Sequence, residues 1–110
     1  MKLLLTAAAR QDLKEIHQYI SSSLRNPTAA KNVVQKITSQ IRNLEDFPEM
    51  GTILFMEESP ISYRYLVVGS YMSFYHLQQD SVIVDRILYG RRDYLLILLG
   101  GSMEDEEITQ

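Results

Sequence analysis

Two apolar stripes at helical spacing, followed by four β-rich runs, divide this chain near Pro48. In the first stripe Ala9, Leu13, Ile16 and Ile20 recur at intervals of four and three, with Arg10, Asp12, Lys14, Glu15 and Gln18 on the other side, as in an amphipathic helix. Thr6 stands where an N-cap hydroxyl would accept a first-turn N–H, and the short apolar run Lys2–Leu5 before it suits a strand. Ser21 to Asn26 interrupts the pattern, and Pro27 fits the first turn of a second helix, where its missing N–H costs nothing. There Ala30, Val34, Ile37, Ile41 and Leu44 repeat the spacing, so the two stripes can meet along an antiparallel helical hairpin.

After Phe47-Pro48-Glu49-Met50-Gly51 the period changes. Thr52 to Met56, Tyr63 to Val68, Tyr71 to Leu77 and Val82 to Tyr89 are rich in Tyr, Val, Ile and Phe and read as strands. Gly69-Ser70 and Gln78 to Ser81 are short enough for hairpin connections, which makes these strands an antiparallel meander. The expected fold is α+β: an N-terminal strand and a helical hairpin packed on a twisted antiparallel sheet, with a short C-terminal helix or tail.

A length of 110 residues suits one domain with one core. The expected domain covers residues 1–100, and residues 101–110 form an acidic tail expected to be disordered. That tail changes the reading of the charge. The formal net charge is −3, but Glu104 to Glu107 contribute four negative charges, and without them the body carries about +1. Such a body lacks the broad basic field of a general nucleic-acid binder, so any anion site must be local. No cysteine is present, which excludes disulfides, thiolate zinc sites and thiol nucleophiles and is compatible with a reducing cytoplasm. The start Met1 to Leu5 imitates a signal peptide only briefly before Thr6 and Arg10 interrupt it, and no apolar run approaches the roughly 20 residues of a membrane span. A cytoplasmic protein without membrane contact is expected.

The candidate chemistry lies in arginine, tyrosine and histidine. Arg86, Tyr89, Arg91, Arg92 and Tyr94 cluster in and after the last strand, and Arg64 lies between Tyr63 and Tyr65. Guanidinium groups beside aromatic faces suit the holding of phosphate or carboxylate. By alternation Arg86 shares an apolar row with Val84 and Leu88, and an arginine so placed calls for a partner in Asp85, Asp93 or a helix carboxylate. His17 falls on the polar side of the first helix. His76, after Phe74 and Tyr75, reads as a half-buried imidazole with its hydrogen bonds satisfied; no second histidine or carboxylate stands at ligand spacing, and neither metal nor cofactor is expected.

Taken together and in order, these pieces resemble the RelE/ParE superfamily of toxins from type II toxin-antitoxin systems, over nearly all of Leu3 to Leu98. The resemblance is carried by Leu5-Thr6-Ala7-Ala8-Ala9-Arg10-Gln11-Asp12-Leu13, Pro27-Thr28-Ala29-Ala30 and Leu44-Glu45-Asp46-Phe47-Pro48-Glu49-Met50-Gly51. It continues in Tyr63-Arg64-Tyr65-Leu66-Val67-Val68-Gly69-Ser70-Tyr71, Phe74-Tyr75 and Arg86-Ile87-Leu88-Tyr89-Gly90-Arg91-Arg92-Asp93. It implies a growth-inhibiting toxin neutralised by a cognate antitoxin that wraps it, with operator DNA reached only through that antitoxin.

The resemblance leaves the target open between two branches. Members similar to RelE cut messenger RNA in the ribosome with basic side chains and often a late tyrosine, whereas members similar to ParE act on DNA gyrase. Arg64 and Arg92 fall at basic positions of the RNA-cutting branch, Arg91 adds another, and Tyr89, Tyr94 and His76 are candidates for stacking or proton transfer if the chain is such a ribonuclease. However, Met72, Leu66 and Leu98 stand where that branch carries further basic residues and its tyrosine. RNA cleavage by proton transfer needs such groups. The expectation is a ParE-like, plasmid-stabilisation type of toxin acting on gyrase, with Arg64, Arg86, Arg91 and Arg92 binding target or phosphate. The alternatives are a ribosome-dependent endoribonuclease and an inactive homologue that only binds antitoxin.

Overall fold

The computed structural model describes residues 1–90 together with Tyr94, Ile97 and Leu98. Strand β1 (Lys2–Leu5) leads through Thr6 into helix α1 (Ala7–Gln18), which runs on as a π-turn over Tyr19–Ser23. Helix α2 (Pro27–Arg42) closes with a 3-10 turn at Asn43–Glu45, and strands β2 (Thr52–Met56), β3 (Ser59–Val68), β4 (Tyr71–Gln78) and β5 (Ser81–Tyr89) follow. Thr6 and Pro27 act as expected: the Thr6 hydroxyl accepts from the Ala9 N–H, and Pro27 opens α2, where the Asn26 side chain also caps by accepting from the Ala29 N–H. Arg25, at φ 53°, makes the reversal between the helices.

The five strands lie in the order β1-β5-β4-β3-β2. β2 through β5 form the expected antiparallel meander, joined by tight turns that each hold one residue at positive φ: Glu57, Gly69 and Gln79. The first of these turns lengthens β3 beyond its apolar run, back to Ser59. β1 adds a feature that alternation along the meander does not reveal: it pairs in parallel with β5, Leu3 opposite Val82 and Leu5 opposite Val84, so the sheet is mixed. The helical hairpin lies between β1 and the meander in sequence, and such a crossover returns the chain parallel to its first strand.

One core lies between hairpin and sheet. Ala9, Ile37, Ile41 and Leu44 meet Val68, Tyr75, Val82, Val84 and Ile87, with Leu13, Ile16, Leu66 and Leu77 packed around them. A smaller cluster, built from Leu54, Phe74 and Leu88, includes no residue of either helix; Tyr94, Ile97 and Leu98 pack against it. The Tyr75 ring is fully buried, and its hydroxyl donates to the Pro48 carbonyl (2.8 Å) while accepting from the Gly51 N–H (2.9 Å). That bond fixes the passage from hairpin to sheet and explains Gly51, where a Cβ would stand 2.5 Å from the Tyr75 hydroxyl oxygen.

Two substitutions test this packing by urea denaturation. Tyr75→Phe should lower stability by about 1 to 3 kcal/mol, because it strands the Gly51 N–H and the Pro48 carbonyl. Ser73→Ala should raise stability by about 1 kcal/mol, since the Ser73 hydroxyl is buried with no hydrogen-bond partner among the described residues.

Candidate functional site

The residues singled out by the sequence separate onto different parts of the fold. Arg64, on β3, donates from Nη1 to the carbonyls of Glu49 (3.1 Å) and Gly51 (3.0 Å), clamping the loop that Tyr75 also holds. Arg86, on β5, meets Asp12 of α1 in a two-pronged pair: Nε donates to Oδ2 at 2.8 Å and Nη2 to Oδ1 at 2.9 Å. The bond to Asp12 outweighs burial and pushes the Arg86 guanidinium further above its ordinary range, so it is charged throughout the working pH range. Its partner is thus a helix carboxylate, one of the three classes that the sequence offered.

The row of side chains around Arg86 is not the one that alternation predicts. Phe74 pairs with Arg86 but Tyr75 pairs with Val84, so Asp85 is the extra residue of a β-bulge. The bulge shifts the parity of β5: Val84 belongs to the core under the helices, whereas Leu88 belongs to the cluster with Phe74. It also frees backbone groups that α1 and its cap take up. Thr6 donates its hydroxyl to the Asp85 carbonyl (2.9 Å), and Asp12 accepts from the Ile87 N–H (2.9 Å).

The bulge turns the Asp85 side chain toward His76 on β4, with Oδ2 2.6 Å from Nδ1. An ionised carboxylate only accepts, so the ring donates from Nδ1 and a neutral imidazole keeps Nε2 as its acceptor. Tyr63 of β3 meets the His76 ring edge-on, with centroids 5.7 Å apart. Burial, and secondarily the charge on Asp85, pushes the Tyr63 phenol above its ordinary range, which keeps it a proton donor at neutral pH. Tyr63, Arg64 and His76 line a cleft of about 240 Å³ with Ile53, Ile61 and Leu77. Neither the partnership of His76 with Asp85 nor that of His76 with Tyr63 is visible as a spacing, since three strands supply the residues.

Beside this group the sheet face is apolar. The Tyr94 ring stacks on Phe74 at 5.0 Å, and Met72 and Leu98 join the same cluster. Leu66 lies in the other cluster, under the helices. The three positions that differ from the RNA-cutting branch therefore do not share one surface. Arg91, Arg92, Asp93 and the acidic tail lie outside the described residues. Among the described residues no cluster of metal-ligating side chains occurs, and no helix is long and apolar enough to cross a membrane.

A larger groove of about 770 Å³, unmarked by any local sequence pattern, opens between the hairpin and the β4–β5 end of the sheet. Its lining includes Ile16, Val33 and Ile87, with Tyr19, Leu24 and Tyr89 more than half exposed around it. Tyr89, expected as a proton-transfer or stacking group, belongs here and meets Tyr71 edge-on at 5.7 Å.

This arrangement of helices and sheet recurs in solved structures. One, described as the chromosomal ParDE toxin-antitoxin system from P. aeruginosa, matches with a TM-score of 0.69 at 23% identity, covering 81% of this chain and 95% of that one. Another, the toxin-antitoxin complex RelBE2 from Mycobacterium tuberculosis, matches with a TM-score of 0.54 at 18% identity, covering 80% and 88%. At these identities the likeness concerns the fold. A search of the curated proteins gave no match. The family described as the ParE toxin of type II toxin-antitoxin system, parDE, matches residues 3–94. The chain belongs to that family, and so to the toxins of type II toxin-antitoxin systems.

The ion pairs give two further expectations. Asp12→Ala should destabilise by about 2 to 4 kcal/mol in urea denaturation: the loss on breaking a buried pair, reduced because Arg86 is partly exposed. Asp85 has its carboxyl raised by burial, an effect the His76 hydrogen bond only partly offsets. A raised folded-state pKa favours folding while the group is protonated, and that contribution is lost as pH rises through the folded-state value. Stability curves of wild type and Asp85→Asn should therefore diverge with rising pH above the ordinary aspartate range, wild type losing ground. Parallel curves would remove the burial argument.

Proposed function

We propose that this chain is a growth-inhibiting toxin, held by a cognate antitoxin in the cytoplasm, and that it acts on DNA gyrase rather than by cutting messenger RNA. The observation that carries the choice is the fate of the Met72 and Leu98 positions. Both pack with Leu54, Phe74 and Leu88 in one apolar cluster, beneath Tyr94 stacked on Phe74. A phosphorane is stabilised by donors aimed at its oxygens, and an apolar cluster has none. Arg64 and Arg86, the basic residues of β3 and β5, spend donors on the Glu49 and Gly51 carbonyls and on Asp12. Membership of the ParE toxin family agrees with this reading.

The antitoxin is assigned to the groove between hairpin and sheet. Its apolar floor and tyrosine rim suit the apolar face of an amphipathic helix. The solved relatives described above are toxin-antitoxin complexes, which supports such a partner.

One observation favours a second reading. His76 held by Asp85 next to Tyr63 has the form of a proton-transfer group, and a ribosome-dependent endoribonuclease would use it to accept the ribose 2'-hydroxyl proton.

Purified toxin added to a gyrase supercoiling assay and, separately, to programmed ribosomes tests the choice. The expected result is loss of supercoiling with intact messenger. Cleaved messenger with normal supercoiling would reverse it, and cleavage lost in His76→Gln would then assign the base. Expression of the chain alone should arrest bacterial growth; unimpeded growth with folded, soluble protein would make it an inactive homologue.

A further inference from the structure

β2 closes one side of the sheet, and no described strand pairs with its outer edge. Such edges are ordinarily blunted by charged side chains or proline along the strand. Thr52–Met56 carries neither; the register shift between Ile53 and Phe55 places its extra residues on β3, and Ile53, Phe55 and Met56 are 40%, 53% and 38% exposed. Phe47 and Met50, just before the strand, extend the exposed apolar surface. Charge is placed instead at the two ends. Asp46 and Glu49 precede the strand, Glu57 and Glu58 follow it, and all four are exposed. Among the described residues none of these carboxylates takes part in an ion pair. The nearby cation, Arg64, donates to the backbone carbonyls of Glu49 and Gly51.

This pattern discriminates between occupants. A second copy paired antiparallel across Leu54 would set Glu58 of each chain opposite Met50 of the other, one position from its Glu49, so carboxylates of both chains would crowd together at each end of the pair. An added strand from another protein with cations at its ends would complement both acidic ends and give its alternate apolar side chains Phe55 and Ile53 to pack on. The antitoxin groove lies against β4 and β5, away from the β2 edge, so the two surfaces can be filled independently.

We propose that the outer edge of β2 docks an extended segment of the toxin's protein target, apolar at alternate positions and carrying lysine or arginine at both ends, as an added strand of the sheet. The identity of the target rests on the gyrase reading above; the docking edge does not.

The test uses the full-length protein and a fluorescent peptide of alternating valine and threonine with two lysines at each end, against the same peptide ended in glutamates. The lysine-ended peptide should bind at least ten-fold tighter, with the preference shrinking as salt rises. Phe55→Lys and, as a second exposed position, Ile53→Lys should abolish binding while circular dichroism shows the native fold. Glu57→Lys with Glu58→Lys should remove or invert the preference, which a merely sticky edge would not do. Equal affinity for the two peptides, binding to neither, or a concentration-dependent dimer in sedimentation would overturn the proposal. In the supercoiling assay Phe55→Lys should inhibit at least ten-fold less than wild type while binding antitoxin equally. Weakened antitoxin binding would give the edge to the antitoxin and overturn the assignment to a target. If wild type leaves supercoiling untouched yet shows the peptide preference, the gyrase reading fails and the docking edge stands.

Discussion

A single buried carboxylate ties the helices to the sheet. Asp12 sits on α1, 7% exposed, and takes three hydrogen bonds from β5: two from the Arg86 guanidinium and one from the Ile87 N–H. Its position follows from the bulge at Asp85, which opens the β4–β5 ladder and leaves backbone groups needing partners inside the protein. Thr6 and Asp12, both fixed by the geometry of one helix start, satisfy them. The N-cap that starts α1 is therefore also an anchor for the last strand. Burying an ion pair adds little net stability over an apolar pair of the same shape, but it fixes register, because only one alignment of α1 on β5 satisfies every group.

That register divides the sheet into two working faces. Before the bulge, Val82 and Val84 support the helical hairpin; after it, Ile87 continues the same core while Leu88 joins Phe74 on the other side. Asp85 is left with His76, and the arginine next to it is drawn to α1. An arginine that reads as a candidate phosphate grip is thereby turned into structural cement. The tyrosine-rimmed groove and the β2 edge, with neither charge nor proline along its strand, are then left as apolar surfaces among the described residues.

The elements themselves were legible because they depend on local physics. The stripe at Ala9, Leu13, Ile16 and Ile20 became α1 and its π-turn, Thr6 capped it as its side chain allows, Pro27 opened α2, and Gly69-Ser70 became a hairpin turn. The candidate site was less legible. Arg64 and Arg86 stand out in the sequence, but a guanidinium next to tyrosines reads alike there whether it meets a phosphate or a backbone carbonyl. Leu66 and Met72 looked like two gaps in one site, yet one faces the helices and the other the opposite cluster. The groove was illegible, being made where residues from four separated segments leave space.

The sequence by itself determined the α+β class, the order of helices and strands, the superfamily resemblance and the need of Arg86 for a partner. Each of these depends on periodicity, capping or composition within short stretches of chain. Tertiary structure alone decided the parallel pairing of β1 with β5, the bulge that reverses side-chain parity, and the choice of Asp12 over other carboxylates. It likewise joined His76 to Asp85 and Tyr63. These are relations between positions as many as 79 residues apart in the chain, as with Thr6 and Asp85. They arise when distant backbone groups must share the same buried space, a condition that no local pattern records.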